Sequence, residues 1–176
     1  MRFRVLVLTI AVGMISLLTA GCGTQKTEPV PVTDGFRCEA AVTYRDMEIC
    51  GTLYRQTDGK MAVTFSAPKS LSGVTVGWNG EEMTLELAGM SIAVSPEKVP
   101  HSALVKSLLD VLASPQTAGE MTDEGYVLTG EADGRAYTLV CDPQTGLPRS
   151  LSVPDDEISA VFTNAERLSD EPSAAE

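Results

Sequence analysis

Basic residues are scarce in this chain of 176 residues: 13 lysines and arginines stand against 24 aspartates and glutamates, a net charge of −11. Nucleic acid is excluded as a partner, because displacing counterions from phosphates takes clustered cations. Histidine occurs once, at His101, and no Gly-x-Ser-x-Gly turn accompanies it, so a Ser-His-Asp hydrolase would depend wholly on His101 and is not expected. Two Ser-x-x-Lys pairs, Ser66 to Lys69 and Ser95 to Lys98, lie beside prolines without a Lys-Thr-Gly or Ser-Asp-Asn companion, which makes them chance matches. No C-x-x-C spacing exists, so neither a zinc site nor thioredoxin-like chemistry is expected. The paired acids Glu81-Glu82, Asp123-Glu124 and Asp155-Asp156 fall in turns, where charge is ordinarily solvated, and no metal site is expected there. Aromatics make up 5% of the chain and Trp78 is the only tryptophan, so the core must come from Val, Leu, Ile, Ala and Met. The uncharged run from Val5 to Leu18 falls short of the roughly 20 residues that span a bilayer. The expected protein is not an enzyme.

What is present begins with Arg2 and Arg4, that apolar run, and small residues up to Cys22, the three-part order of an export signal. The stretch Leu17-Leu18-Thr19-Ala20-Gly21-Cys22 resembles the lipobox of bacterial lipoproteins, with Thr19 where an aliphatic residue is usual. The resemblance implies a signal peptide over residues 1–21 and covalent diacylglycerol and acyl chains, such as palmitate, on Cys22; no other cofactor is expected. One acyl chain binds a bilayer with a constant of only about 10⁴ M⁻¹, so two or three chains are what make the anchor permanent. The implied address is the extracytoplasmic face of the cell membrane. Without residues 1–21 the chain keeps 11 basic and 24 acidic residues, a net charge of −13, so an anionic surface repels it and attachment rests on the lipid. Residues 22–35, polar and carrying Pro29 and Pro31, read as an extended tether.

Three cysteines remain beyond the anchor, an odd number. A turn at Arg45-Asp46-Met47 would set Cys50 opposite Val42 and leave Cys38 four residues out of register. At about 3.4 Å per residue that exceeds the roughly 7 Å between Cα atoms that a disulfide tolerates. A bridge from Cys38 or Cys50 to Cys141 and three buried thiols both remain open.

From Phe36 onward apolar and polar residues alternate with period two. Strands are expected over Phe36–Tyr44, Ile49–Arg55, Met61–Phe65, Val74–Trp78, Met83–Leu87, Met90–Val94, Tyr126–Glu131, Arg135–Asp142, Arg149–Val153 and Ile158–Phe162. Asp58-Gly59, Asn79-Gly80 and Asp133-Gly134 supply hairpin turns. One segment breaks the alternation: Leu104, Val105, Leu108, Leu109, Val111 and Leu112 recur at helical spacing between Pro100 and Pro115. About ten short strands and one late helix make a mainly β (α+β) domain over residues 36–165. Its sheet is antiparallel and curved by strand twist, and the helix is expected on its concave face. Residues 166–176, acidic and rich in Ala and Ser, are expected to be disordered.

That order, with Phe65-Ser66-Ala67-Pro68-Lys69-Ser70-Leu71-Ser72-Gly73 after the third strand and Asp142-Pro143-Gln144-Thr145-Gly146-Leu147-Pro148 before the ninth, resembles the LolA-like superfamily. The resemblance implies a half-barrel covered by helices around an apolar cavity, in proteins that carry lipoproteins, sense lipids or assist germination. The residues on the inward faces, Met61, Val63, Phe65, Val76, Trp78, Met83, Leu85 and Met90, with Leu104 and Leu108 of the helix, are the candidates to line such a cavity. For Met61, Met83 and Met90, ordinary core packing is the competing explanation. The expected function is binding of an apolar ligand, a lipid or a lipoprotein. The alternative is a protein-interaction module without a small ligand, assisting a cell-wall, sporulation or germination enzyme in the envelope.

Overall fold

The structure, a computed structural model, describes residues 34–95, 102–113 and 119–168. Among the described residues, eleven strands and one α-helix follow one another: β1 (Phe36–Tyr44), β2 (Met47–Arg55), β3 (Met61–Ala67), β4 (Thr75–Trp78), β5 (Met83–Leu87), β6 (Met90–Val94), α1 (Ser102–Ala113), β7 (Glu120–Thr122), β8 (Gly125–Ala132), β9 (Arg135–Cys141), β10 (Pro148–Val153) and β11 (Ile158–Arg167). All strands join one curved, open antiparallel sheet in the order β6-β5-β4-β3-β2-β1-β11-β10-β9-β8-β7. The chain therefore builds outward from the centre by hairpins, reaches the β6 edge, and must cross to the opposite edge before building back. Helix α1 lies on that crossing, and β11 closes the path by pairing with β1.

The period-two pattern does what it predicts. β1 alternates buried and exposed at every residue, from Phe36 in to Tyr44 in. One face of the sheet is apolar, and Leu108, Leu109, Val111 and Leu112 of α1 join its core. Those four positions follow the 3.6-residue period, so a single stripe of the helix meets the sheet.

Three details differ from the sequence expectation. The first hairpin turns in two residues, Arg45-Asp46, with Arg45 at a φ of 53°, so Cys50 faces Ala41 and Cys38 faces Leu53. β7 was not anticipated, because three residues are too few to show alternation. Glu166 and Arg167, assigned by sequence to a disordered tail, pair with Arg37 and Phe36 in β11. Residues 1–33, His101 and residues 169–176 lie outside the described residues.

Both family-like phrases turn out to be turns. Gly73, at a φ of 84°, donates its N–H to the Phe65 carbonyl, while Leu71 N–H bonds the Pro68 carbonyl. In the second phrase Asp142 Oδ1 accepts from the N–H groups of Gln144 and Thr145 at 2.9 Å each and from the Thr145 hydroxyl, and Oδ2 meets Arg149 at 2.7 Å. The hydrogen bonds to the Thr145 and Gln144 amides, chiefly, hold the Asp142 carboxyl below the ordinary carboxylate range. Its contribution is therefore present at neutral pH and is lost as pH falls through that depressed value. Asp142→Ala is expected to cost about 1 kcal/mol at pH 7 in a urea melt, with the difference from the parent shrinking in acid. An equal cost at pH 7 and at pH 2 would refute the carboxylate's role.

A candidate apolar site under the helix

The space between α1 and the sheet is set by two small residues. Ala40 of β1 and Gly51 of β2 face each other directly, and their small size leaves a hollow in the apolar face. Gly51 cannot be enlarged in place: a Cβ there would sit 2.6 Å from the Thr64 carbonyl oxygen, where the β2–β3 register shifts. Around the hollow stand Val42, Ile49, Val63 and Phe65, and Leu108 of α1 closes it from above. Its lining carries no ionisable group. The free volume is about 20 Å³, room for one water-sized probe.

Two polar clamps hold the lid. At its C-terminal end, buried Arg55 donates from Nε to the Leu112 carbonyl and from Nη2 to the Ala113 carbonyl, both at 3.2 Å. Nη1 reaches the carbonyls of Asp34 at 3.1 Å and Gln56 at 3.4 Å. The last four carbonyls of a helix lack intrahelical donors and carry the negative end of its dipole, so a guanidinium satisfies both needs there. Burial lowers the Arg55 pKa from its usual value, and the carboxylates of Asp34 and Asp58 work against that shift. Half-way along the helix, buried Ser107 donates to Asp156 Oδ2 at 2.9 Å and accepts from Arg135 Nη1 at 3.3 Å. Arg135 Nε also meets Asp156 Oδ1 at 3.1 Å. Elsewhere in the core, Trp78 Nε1 and Tyr137 Oη are buried without a hydrogen-bond partner.

The candidate residues divide accordingly. Val63, Phe65 and Leu108 line the hollow, while Met61, Val76, Trp78 and Met83 are buried in the surrounding core. Leu85 is partly buried against that core. Met90 shares the face of Met83 and Leu85 through its pairing with Leu87, but it is 70% exposed and sits on the sheet's rim rather than inside. The side chain of Leu104, and Cys22, fall outside the described residues. Sequence reading missed Ala40, Val42, Ile49 and Gly51 as lining residues, because an inward parity on β1 and β2 does not say which inward positions border a hollow. It also missed Arg55, Ser107 and Asp156, which look like ordinary polar residues at strand, helix and turn positions.

The three described cysteines are free. Burial pushes the Cys38 thiol up to about 12, and burial together with the Asp142 charge pushes Cys141 up to about 11, so neither is a nucleophile at neutral pH. Cys50 is exposed, unlike the buried thiol the sequence allowed. Among the described residues no three His, Cys, Asp or Glu side chains are grouped to hold a metal, and no helix is long and apolar enough to cross a membrane.

No protein-family model and no curated protein matches this chain. Solved structures similar to it include members of the LolA superfamily. An uncharacterized conserved protein from Thermus thermophilus is 16% identical, with a TM-score of 0.47 over 78% of this chain and 80% of that one. A LolA superfamily protein from Nitrosomonas europaea is 11% identical, with a TM-score of 0.39 over 84% and 92%. A DUF1329 family protein from Desulfovibrio piger is 12% identical, with a TM-score of 0.40 over 78% and 88%. These are likenesses at low identity, and the chemistry of this chain has to be read from its own side chains.

Proposed function

We propose that the protein is a non-enzymatic, lipid-anchored binding protein of the cell envelope, which takes an apolar ligand, a lipid or the acyl part of a lipoprotein, between α1 and the concave face of its sheet. The observation that carries this reading is the hollow itself: an uncharged, wholly apolar space under a helix fastened by a few hydrogen bonds. At about 20 Å³ it cannot take an acyl chain as it stands, since ligand pockets run to roughly 300–1,000 Å³. Binding therefore requires α1 to swing away from the sheet, with the Arg55 and Ser107 clamps released. Purification of the chain from its own membranes, followed by native mass spectrometry, tests the idea. A stoichiometric apolar adduct is expected, and a bare chain with no binding of a hydrophobic dye would sink it.

The closed hollow also favours a second reading, a protein-interaction module in the envelope that uses no small ligand. A stable protein partner recovered with an empty interior is the outcome that selects it.

Anchoring through Cys22 has its own test. Cys22→Ser is expected to move the protein from the membrane fraction to the soluble fraction almost completely and to abolish incorporation of a palmitate analogue, because a single uncleaved apolar run of this length is a poor span. Retention of the variant in membranes, with an unlabelled parent, would overturn the lipobox assignment.

A further inference from the structure

We propose that the site under α1 takes a single-chain amphiphile with an oxyanion head, its apolar tail entering the hollow and its head seated on the Arg55 guanidinium. This rests on the reading that an apolar ligand enters between α1 and the sheet, and it names the other end of that ligand. Among the described residues Arg55 is the only charged side chain that is buried, and it stands where a head group would have to be. Gly51, Leu53 and Arg55 follow one another on the inward face of β2. Gly51 borders the hollow. Leu53, fully buried, is flanked by Cys38 and Val63, and Arg55 by Phe36 and Met61. The path from the hollow to the guanidinium is therefore uncharged until its last step. Leu108 roofs the hollow, and the Leu112 carbonyl that Arg55 holds comes one turn later, about 6 Å further along the helix axis. Tail site and head site lie under one stretch of the lid.

The guanidinium is already shaped around two oxygens. Its Nε and Nη2 lie along one edge of the planar group, and in the closed protein they hold the carbonyl oxygens of successive residues, Leu112 and Ala113, at 3.2 Å each. Those oxygens end the helix and carry the negative pole of its dipole, so the lid itself occupies the place of an anion. A carboxylate or a phosphate offers the same edge two oxygens and a full charge, and such bidentate bonds are shorter and roughly twice as strong as neutral ones. The Asp34 and Gln56 carbonyls, which accept from Nη1, are not on the helix and keep the fork aimed when α1 moves. An oxyanion thus replaces what the opening lid takes away, which an uncharged hydroxyl does only weakly.

Local charge selects an anion although the chain as a whole does not. With a net charge of −11 the protein repels anions at long range, but exposed charges more than about 8 Å away are largely screened at physiological salt. The two carboxylates whose charges act on Arg55 are each met by a cation of their own: Asp34 by Arg167 at 2.6 Å and Asp58 by Lys60 at 2.7 Å. A cationic head would set like charges together in a site shielded from water, where their repulsion is strongest.

Isothermal titration of the full chain in a neutral detergent, with detergent alone as the blank, tests this with probes of one chain length: decanoate, decyl phosphate, decanol and decyltrimethylammonium. At least one of the anions is expected to bind about tenfold or more tightly than decanol, and the tighter anion identifies the head as carboxylate or phosphate. Decyltrimethylammonium, which the net charge favours everywhere but at Arg55, should bind more weakly than decanol. Arg55→Met, shown by its melting curve to be folded, should bring the ratio of anion to decanol affinity to about one, and Arg55→Lys should leave an intermediate ratio, since it keeps the charge without the fork. A merely structural arginine would shift the anions and decanol together and leave the ratio unchanged, which overturns the proposal. Decanol binding the parent chain as tightly as the anions overturns it too, and under that outcome apolar binding beneath α1 still stands. If no probe binds, that underlying function falls with it.

Discussion

Replacing Arg55 by methionine is expected to lower the unfolding free energy by about 2–4 kcal/mol and, below the unfolding transition, to raise binding of a hydrophobic dye several-fold. Methionine fills most of the volume of the arginine stem, so the loss is of hydrogen bonds rather than of packing. Four carbonyls lose a donor, and two of them, Leu112 and Ala113, close the helix. Removing a partner that leaves buried acceptors unsatisfied costs about 1–3 kcal/mol for each group that water cannot reach. Lysine at the same place is expected to recover only part of the loss, because an ammonium is a point charge and cannot present the planar fork that bridges two successive carbonyls. Urea denaturation gives the stability change, and dye titration in native buffer reports the lid. A variant that is destabilised yet binds no more dye would mean that the lid stays shut, with the apolar stripe of α1 sufficient to hold it.

Much of the fold was legible because it rests on local rules. Period-two alternation located ten of the eleven strands. Asp58-Gly59, Asn79-Gly80 and Asp133-Gly134 marked three of the reversals, and the spacing of Leu108, Leu109, Val111 and Leu112 marked the helix that spans Ser102–Ala113. Where the expectation failed, the deciding interaction was not local. Arg45 adopts a left-handed conformation in the first turn, which no residue type there announces, and the hairpin register moved by one. The pairing of β1 with β11 joins segments more than a hundred residues apart in the chain, and no alternation pattern tells one strand which distant strand it will meet. Glu166 and Arg167 became strand because Arg37 and Phe36 were waiting beside them.

The site was legible by face but not by depth. Alternation placed Met61, Met83 and Met90 on one face, and strand pairing agrees. Burial depends on what packs over each part of the sheet, which sequence periodicity does not carry, and so Met83 is covered while Met90 is not. The hollow was invisible for a different reason. It is made by what is missing at Ala40 and Gly51, and small residues on an inward face look the same whether a neighbour fills the gap or not. Arg55 was hidden by chemistry, because its strand-end position suggests solvent while its partners are backbone carbonyls fifty-seven and fifty-eight residues away.

Two adjacent leucines separate the hollow from the core around it. Leu109 is fully buried, and Leu108 forms the roof of the hollow. Truncating either to alanine is expected to cost about 3–5 kcal/mol, the usual range for a buried leucine including the cavity it leaves. The two variants should then diverge in ligand binding. Leu108→Ala merges its vacated volume with the existing apolar space, and an apolar cavity of roughly 150 Å³ stays dry and accepts small apolar molecules. Leu109→Ala opens a gap walled off by the side chains around it. A small apolar probe such as benzene or xenon is therefore expected to raise the melting temperature of Leu108→Ala by several degrees, since a ligand held only by the folded state stabilises it, and to leave that of Leu109→Ala nearly unchanged. Equal shifts in both variants, or none in either, would show that the hollow under α1 is a packing fault and not the beginning of a binding site.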